Sequence, residues 1–128
     1  MFSSRKILIL LIMLGISFAL RYYFMQFREI IDTDGVYYAL LGKNLFSGKG
    51  YIGPEGIYQW YYPPFFPINI GFLGLFVSDI QIAGEWISLI YGSLLPLAIV
   101  YLTYSMYDFN IGIIAGILTI VFPPFIEF

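Results

Sequence analysis

Cysteine and histidine are both absent from the 128 residues of this sequence. Their absence excludes disulfide bonds, thiol nucleophiles, histidine bases and zinc sites built on these ligands, so acid–base chemistry must use carboxylates, tyrosines or lysines. Charge is also scarce, because only 11% of the residues are charged and no basic run is longer than Arg5-Lys6. With a net charge of -2 and no basic cluster, the sequence does not indicate nucleic-acid binding.

Apolar side chains make up most of the remainder, at 60% hydrophobic and 21% aromatic residues. Soluble domains use more charge and fewer apolar residues than this. We therefore expect an integral membrane protein. The lengths of its apolar segments, described next, predict an all-α fold with about three transmembrane helices and two juxtamembrane helices in the first external loop.

Three segments are candidates to cross the hydrocarbon layer, which is about 30 Å thick and needs about 20 helical residues. They are residues 7–27, 84–106 and 111–126. The last contains Gly112-x-x-x-Gly116, a spacing that permits close helix packing. A fourth apolar segment, residues 65–77, is only about 20 Å long as a helix, and we expect it to be interfacial or re-entrant.

Positive charge at the N-terminus predicts the orientation. Arg5 and Lys6 precede the first span, so the positive-inside rule places the N-terminus in the cytoplasm and residues 28–83 outside. Arg21, near the outer end of this span, is expected to reach the interface. A cleaved signal peptide is the alternative, since the Ser-Phe-Ala at 17–19 resembles a cleavage site, but the apolar stretch continues past it.

The external loop opens with an acidic turn, DTDGVYY, that contains Asp32 and Asp34. Apolar residues at helical spacing after the turn predict a short interfacial helix that starts at Asp34. Asp34 is then either a helix N-cap, worth about 1 kcal/mol, or an ionised carboxylate that accepts a proton from a hydroxyl group. Asp32 can be an ordinary solvated loop charge. Glu127 emerges on the same side as both if residues 65–77 do not span.

Other side chains of the loop also have two interpretations. The aromatic stretch after the glycines either stacks on a sugar ring or anchors the chain at the membrane interface; it contains Tyr58, Trp60, Tyr61 and Tyr62. Lys43 and Lys49 either face water or hold a lipid phosphate.

Five stretches follow one another along the chain: a first helix ending in LRYY, then DTDGVYYALLGKNLFSGKGY, GIYQWYYPPFFPINIGFLGLF, IAGEWISLIYGSLLPLAIVYL and IGIIAGILTIVFPPF. In this order they resemble the N-terminal part of the GT-C membrane glycosyltransferases of the protein O-mannosyltransferase and aminoarabinose transferase type. The resemblance covers almost the whole chain. It implies transfer of a sugar from a polyprenyl phosphate carrier to an acceptor on the outer face of the membrane, without a cofactor and with the metal requirement left open.

The resemblance also implies roles for individual residues. Asp34 aligns with the aspartate that opens the first loop helix and would be the catalytic base, assisted by Asp32 or Glu127. The remaining candidates would bind substrate, with the lipid phosphate held by Arg28, Lys43 or Lys49 and the sugar pocket lined by Tyr58 and Trp60.

The sequence departs from the family pattern at several points. Gly35 stands where many relatives have glutamate, Glu85 stands where relatives often have arginine, and the family's chains are several times longer. We therefore expect the N-terminal fragment of a longer, multi-pass enzyme of a bacterial or archaeal plasma membrane. Its expected partners are membrane lipid, the lipid-linked sugar, and the C-terminal remainder of the enzyme or other membrane helices.

Two functions from other classes are the alternatives. One is a small, non-catalytic multi-pass subunit that scaffolds or binds lipid, in which Asp34 is only a helix cap. A transporter agrees less well with the sequence, because no ionisable residue lies in the middle of a confident span.

Overall fold

The structure is a computed structural model and describes residues 3–27 and 33–122. Within these residues the chain forms α-helices and no β-strand, as the sequence predicts. The five helices are α1 (Ser4–Met25), α2 (Thr33–Phe46), α3 (Phe65–Leu73), α4 (Ile80–Met106) and α5 (Phe109–Val121).

Two of these helices, α1 and α4, are long and apolar enough to span a membrane. They contain 22 and 27 residues, or about 33 Å and 40 Å of helix. The core helix of a soluble protein is mostly buried, whereas only 17% and 22% of the most apolar 18 residues of α1 and α4 are buried. This exposure favours membrane association, although a signal sequence near the N-terminus would meet the same length and composition criterion as α1.

The helix boundaries agree with the sequence in part. α3 has 9 residues, about 13 Å of helix, so it is too short to cross the hydrocarbon layer as a helix. α4 begins four residues before the predicted start, because the Asp79 carboxylate accepts a hydrogen bond from the Gln81 backbone N–H at 2.8 Å and caps the helix. α5 begins at Phe109 and ends at Val121, and Phe122 is extended. With 13 residues, or about 20 Å, α5 is shorter than the predicted span of residues 111–126, the last four of which lie outside the described residues.

The chain divides into two compact units. The first, called the bundle unit, consists of Met1–Phe27 and Ser88–Phe128. The second, called the loop unit, is the continuous segment Arg28–Ile87. α4 therefore begins in the loop unit and ends in the bundle unit.

The bundle unit packs around a small core of Met13, Val100 and Ile120. Gly112 and Gly116 of α5 are buried against this core. A Cβ atom at Gly112 would lie 3.0 Å from the Val100 carbonyl oxygen, and one at Gly116 would lie 2.5 Å from side-chain atoms of Met13 and Val100. The close packing predicted for the Gly-x-x-x-Gly spacing is therefore confirmed, because α5 approaches α1 and α4 through its glycines.

Arg21 is buried inside the bundle unit. Its side chain is only 5% exposed, and its guanidinium lies against Gly92 of α4, where a Cβ atom would come within 2.5 Å of Nη1. The predicted position of Arg21 at the interface is therefore wrong. The missing side chain at Gly92 provides the space that the guanidinium occupies.

In the loop unit, α2 and α3 pack against each other through glycines. A Cβ atom at Gly42 would overlap the carbonyl oxygen of Pro67, and one at Gly71 would overlap the carbonyl oxygen of Gly42. Leu41 and Ile70, at 0% and 1% exposure, fill the space beside this contact. The two helices thus meet backbone to backbone, and α2 together with the segment that connects it to α3 carries the candidate site.

Candidate functional site

Asp34 lies in the first turn of α2, where its side chain is exposed. The predicted N-cap position is not observed, because Thr33 is already helical. A carboxylate in the first turn interacts favourably with the helix dipole, typically by about 0.3–1 kcal/mol. Asp34 Oδ1 also accepts a long hydrogen bond, 3.4 Å, from the Tyr62 hydroxyl.

Tyr62 belongs to a group of three tyrosine rings beside this carboxylate. Its ring stacks on Tyr37 with centroids 5.1 Å apart and meets Tyr38 edge to face at 5.4 Å. Residues three and four apart share a helix face, so Asp34, Tyr37 and Tyr38 lie together on α2. Tyr62 completes the group from the loop before α3. Its own position is set by Tyr51, whose hydroxyl donates to the Tyr62 carbonyl oxygen at 3.0 Å.

A tight hairpin brings a second carboxylate to the tyrosines. The turn Gly53-Pro54-Glu55-Gly56 closes with a hydrogen bond from the Gly56 N–H to the Gly53 carbonyl oxygen, 3.1 Å, and Gly56 has a φ of 76°. The Gly53 N–H then donates to the carbonyl oxygen of Ile57 at 3.1 Å. This is the three-residue hairpin loop that requires a left-handed residue at its third position, which glycine supplies. Glu55 is thereby held at the tip.

Glu55 is bonded to α2 through a tyrosine. The Tyr37 hydroxyl donates to Glu55 Oε1, and Gln59 Nε2 donates to Oε2 at 3.4 Å. Because Tyr37 stacks on Tyr62, a tyrosine pair connects the two carboxylates. The Tyr62 hydroxyl donates to Asp34 and the Tyr37 hydroxyl donates to Glu55.

Sequence reasoning missed Glu55. The glycines and proline around it interrupt the apolar pattern of α2 and indicate only that the helix ends there. The Gly-Pro-Glu-Gly turn itself was the available signal, because a hairpin returns the chain toward the helix it left. Its partner, Tyr37, is 18 residues away and could not be identified from local spacing.

The predicted substrate-binding residues do not all lie near Asp34. Trp60 is 91% exposed and Tyr58 is 69% exposed, with the Tyr58 ring against Gly50. Lys43 is nine residues beyond Asp34 on α2, which corresponds to about 13 Å along the axis and the opposite helix face. Lys49 lies at the same end of α2 as Lys43, since its N–H donates to the Asn44 carbonyl oxygen at 3.0 Å.

Three predicted site residues, Arg28, Asp32 and Glu127, lie outside the described residues. Their assignments remain predictions. Among the residues that are described, no group of three or more Asp, Glu, His or Cys side chains is arranged to hold a metal ion.

Two tyrosines of the loop unit, Tyr62 and Tyr51, have a raised pKa. Partial burial, followed by the charge of Asp34 and the hydrogen bond to Asp34, raises the pKa of Tyr62 above its usual 10.0. Burial, with a smaller contribution from Tyr38, likewise raises the pKa of Tyr51. Both phenols therefore remain neutral hydrogen-bond donors throughout the physiological pH range.

We expect this shift to appear as a loss of stability in alkali. A pKa raised by folding contributes stability that is complete below the unfolded value, about 10, and is lost as the pH rises through the folded value. The Tyr62 titration, followed by NMR of ring-labelled tyrosine and assigned with Tyr62→Phe, should move toward 10.0 in Asp34→Asn. An unchanged Tyr62 pKa in that variant would show that the Asp34 carboxylate does not act on Tyr62.

No family of known proteins, no curated protein sequence and no solved structure matches this chain. Assignment of a function therefore depends on the geometry of the acidic and aromatic cluster and on the order of features along the sequence.

Proposed function

We propose that this chain is the N-terminal part of a multi-pass glycosyltransferase of the GT-C type, which transfers a sugar from a polyprenyl phosphate carrier to an acceptor outside the membrane. The observation that carries the proposal is the exposed Asp34 carboxylate in the first turn of α2, bordered by tyrosine rings. A carboxylate can accept a proton, and aromatic rings beside it can stack on a sugar.

The topology that goes with this function has three spans. α1 and α4 are long enough to cross the membrane, and the segment 111–126, which begins with the shorter α5, would form the third span. α2 and α3 would lie along the outer surface as juxtamembrane helices. The short α3 supports this arrangement, because a helix of 9 residues is too short to cross the membrane and leaves the chain on the side from which it came. Arg5 and Lys6 then mark the cytoplasmic side of a bacterial or archaeal plasma membrane, and the loop unit lies outside.

Asp34 is the proposed general base. It takes the proton of the acceptor hydroxyl as the acceptor oxygen forms a bond to the anomeric carbon of the donor sugar. The bond from this carbon to the phosphate oxygen breaks, and the polyprenyl phosphate leaves with its electron pair. Attack from the face opposite the leaving group inverts the anomeric carbon. General-base catalysis of this kind contributes about 10²–10⁴-fold in rate.

The tyrosine pair positions the base. Tyr62 donates to one oxygen of Asp34 and leaves the other oxygen to the acceptor. Glu55 fixes Tyr37 and, through the ring stack, the orientation of Tyr62. Glu55 thus supplies the second carboxylate of the site, a role that the sequence assigned to Asp32 or Glu127.

The described substrate-binding candidates lie in two regions of the loop unit, one at Trp60 and the other at the far end of α2. Trp60 offers a fully accessible ring on which a sugar can stack. Lys43 and Lys49 lie at the far end of α2, so a phosphate held at Asp34 would be out of their reach. Arg28, six residues before Asp34 in the sequence, is the remaining loop cation and the proposed phosphate ligand.

Replacing Glu55 with glutamine tests the arrangement in the full-length protein. We expect kcat for transfer from a polyprenyl-phosphate sugar to fall about tenfold, because glutamine can still accept the Tyr37 hydroxyl hydrogen bond but the acceptor loses its charge and the bond is weaker. The pH profile of kcat should also shift, which a purely structural defect would not cause. Glu85→Gln is the matched control, since Glu85 bonds only to Gln81 of its own helix in the described structure. Equal activity of Glu55→Gln and the wild type would remove Glu55 from the site.

A further inference from the structure

A cavity with a basic rim and an apolar wall lies in the bundle unit, between the first turns of α1 and α5. Its volume is about 570 Å³, within the range of about 300–1,000 Å³ that is usual for small-molecule sites. Arg5 and Lys6 line it together with Asn110, and Ile9, Ile113 and Ile114 form the apolar wall.

The two cations of the rim are held differently. The Lys6 ammonium lies 4.9 Å from the ring centroid of Tyr104 and 4.8 Å from that of Phe109, so two aromatic rings fix its position. Arg5 is exposed, and its side chain forms no ion pair within residues 3–27 and 33–122. Asp108, the residue before α5, accepts hydrogen bonds from the backbone N–H groups of Asn110 and Ile111 at 2.7 and 3.0 Å and keeps its negative charge. The two cations of the lining outnumber this one carboxylate, so the net charge at the rim is positive.

We propose that this cavity binds an anionic glycerophospholipid of the cytoplasmic leaflet. The lipid phosphate lies between Arg5 and Lys6, and the start of an acyl chain lies against the isoleucine wall. Charge complementarity selects an anion, and the apolar wall selects an amphiphile over free phosphate. The leaflet depends on the proposed orientation of α1, whereas the binding itself does not.

This site differs from the proposed donor site. It lies in the bundle unit at the start of α1, and none of its lining residues belongs to the loop unit. The residues that line it have no part in the proposed sugar transfer. The lipid would instead anchor the beginnings of α1 and α5 to one another and to the membrane surface.

Phosphatidylglycerol titrated onto the detergent-purified full-length protein, with bound lipid counted by native mass spectrometry, tests the proposal. We expect saturable binding of phosphatidylglycerol and no saturable binding of phosphatidylcholine. Affinity should fall about fivefold in Arg5→Gln and about thirtyfold in Arg5→Gln/Lys6→Gln, if each cation contributes as basic residues do at anionic surfaces. Ile114→Gln, at a wall residue that is 59% exposed, should also weaken binding without loss of folding.

The matched control is Lys43→Gln/Lys49→Gln, which removes the same charge from the loop unit and should leave the lipid affinity unchanged. Equal loss in the control and the rim variant would indicate a nonspecific charge effect and overturn the proposal. Displacement of the lipid by millimolar inorganic phosphate would identify an anion site rather than a lipid site and would overturn it as well. Because the readout is lipid binding, failure of the glycosyltransferase proposal would leave this measurement interpretable.

Discussion

Asp34→Asn should abolish sugar transfer by the full-length protein while its folding and membrane insertion remain unchanged. Asparagine keeps the shape of the side chain and an oxygen that can accept the Tyr62 hydroxyl hydrogen bond, but it cannot take up a proton under the reaction conditions. We expect kcat to fall by about 10²–10⁴-fold, the usual contribution of a general base. The measurement is release of polyprenyl phosphate from a lipid-linked sugar donor in the presence of an acceptor.

Asp108→Asn is the matched control for this experiment. Asp108 caps α5 by accepting hydrogen bonds from two backbone N–H groups, and asparagine is an equally good cap. The same chemical change at Asp108 should therefore leave transfer intact. Full activity of Asp34→Asn would exclude Asp34 as the base and favour the alternative of a non-catalytic subunit that scaffolds or binds lipid.

Gly71→Ala should disrupt the packing of α2 on α3. The added Cβ atom would overlap the Gly42 carbonyl oxygen and would lie 2.5 Å from Phe46 Cδ2. The ring can rotate away, but the backbone oxygen cannot move unless the helices separate. By helix propensity alone, alanine would stabilise α3 relative to glycine by about 1 kcal/mol. A net destabilisation would therefore identify the clash as the dominant effect. We expect a loss of about 1–3 kcal/mol, as for other overpacked contacts.

Hydrogen exchange of the α2 and α3 amides measures this effect within the loop unit. Gly84→Ala provides the control, because a Cβ atom there would meet Ile70 Cδ1 at 3.7 Å, an ordinary van der Waals distance. That variant should be as stable as the wild type or slightly more so. Amides of α2 and α3 that exchange as slowly in Gly71→Ala as in Gly84→Ala would show that these two helices are not in backbone contact.

Much of the helical structure could be predicted because it depends on local sequence. The length of an apolar run and the spacing of its residues identified α1 and α4 as candidate spans and residues 65–77 as too short. The start of α4 was missed because Asp79, a polar residue outside the apolar run, provides the cap. Such a cap is visible in sequence only when the search extends beyond the hydrophobic pattern.

Contacts between elements account for what could not be predicted. The burial of Arg21 depends on which residue of α4 faces it, and only the pairing of helices identifies Gly92. The place of Glu55 in the candidate site depends on the hairpin and on Tyr37 together. In both cases the partner residue is remote in sequence. Residue type alone predicts the interface for Arg21 and a solvated loop for Glu55.

The two units differ in a way that affects biosynthesis. The loop unit is one continuous segment, Arg28–Ile87, whereas the bundle unit joins Met1–Phe27 to Ser88–Phe128. A continuous unit can fold once its last residue has been synthesised, and short-range contacts fold fastest. At synthesis rates of about 5–20 residues per second, the loop unit has a few seconds before residue 128 is added. The acidic and aromatic cluster would thus be assembled before the bundle unit is complete.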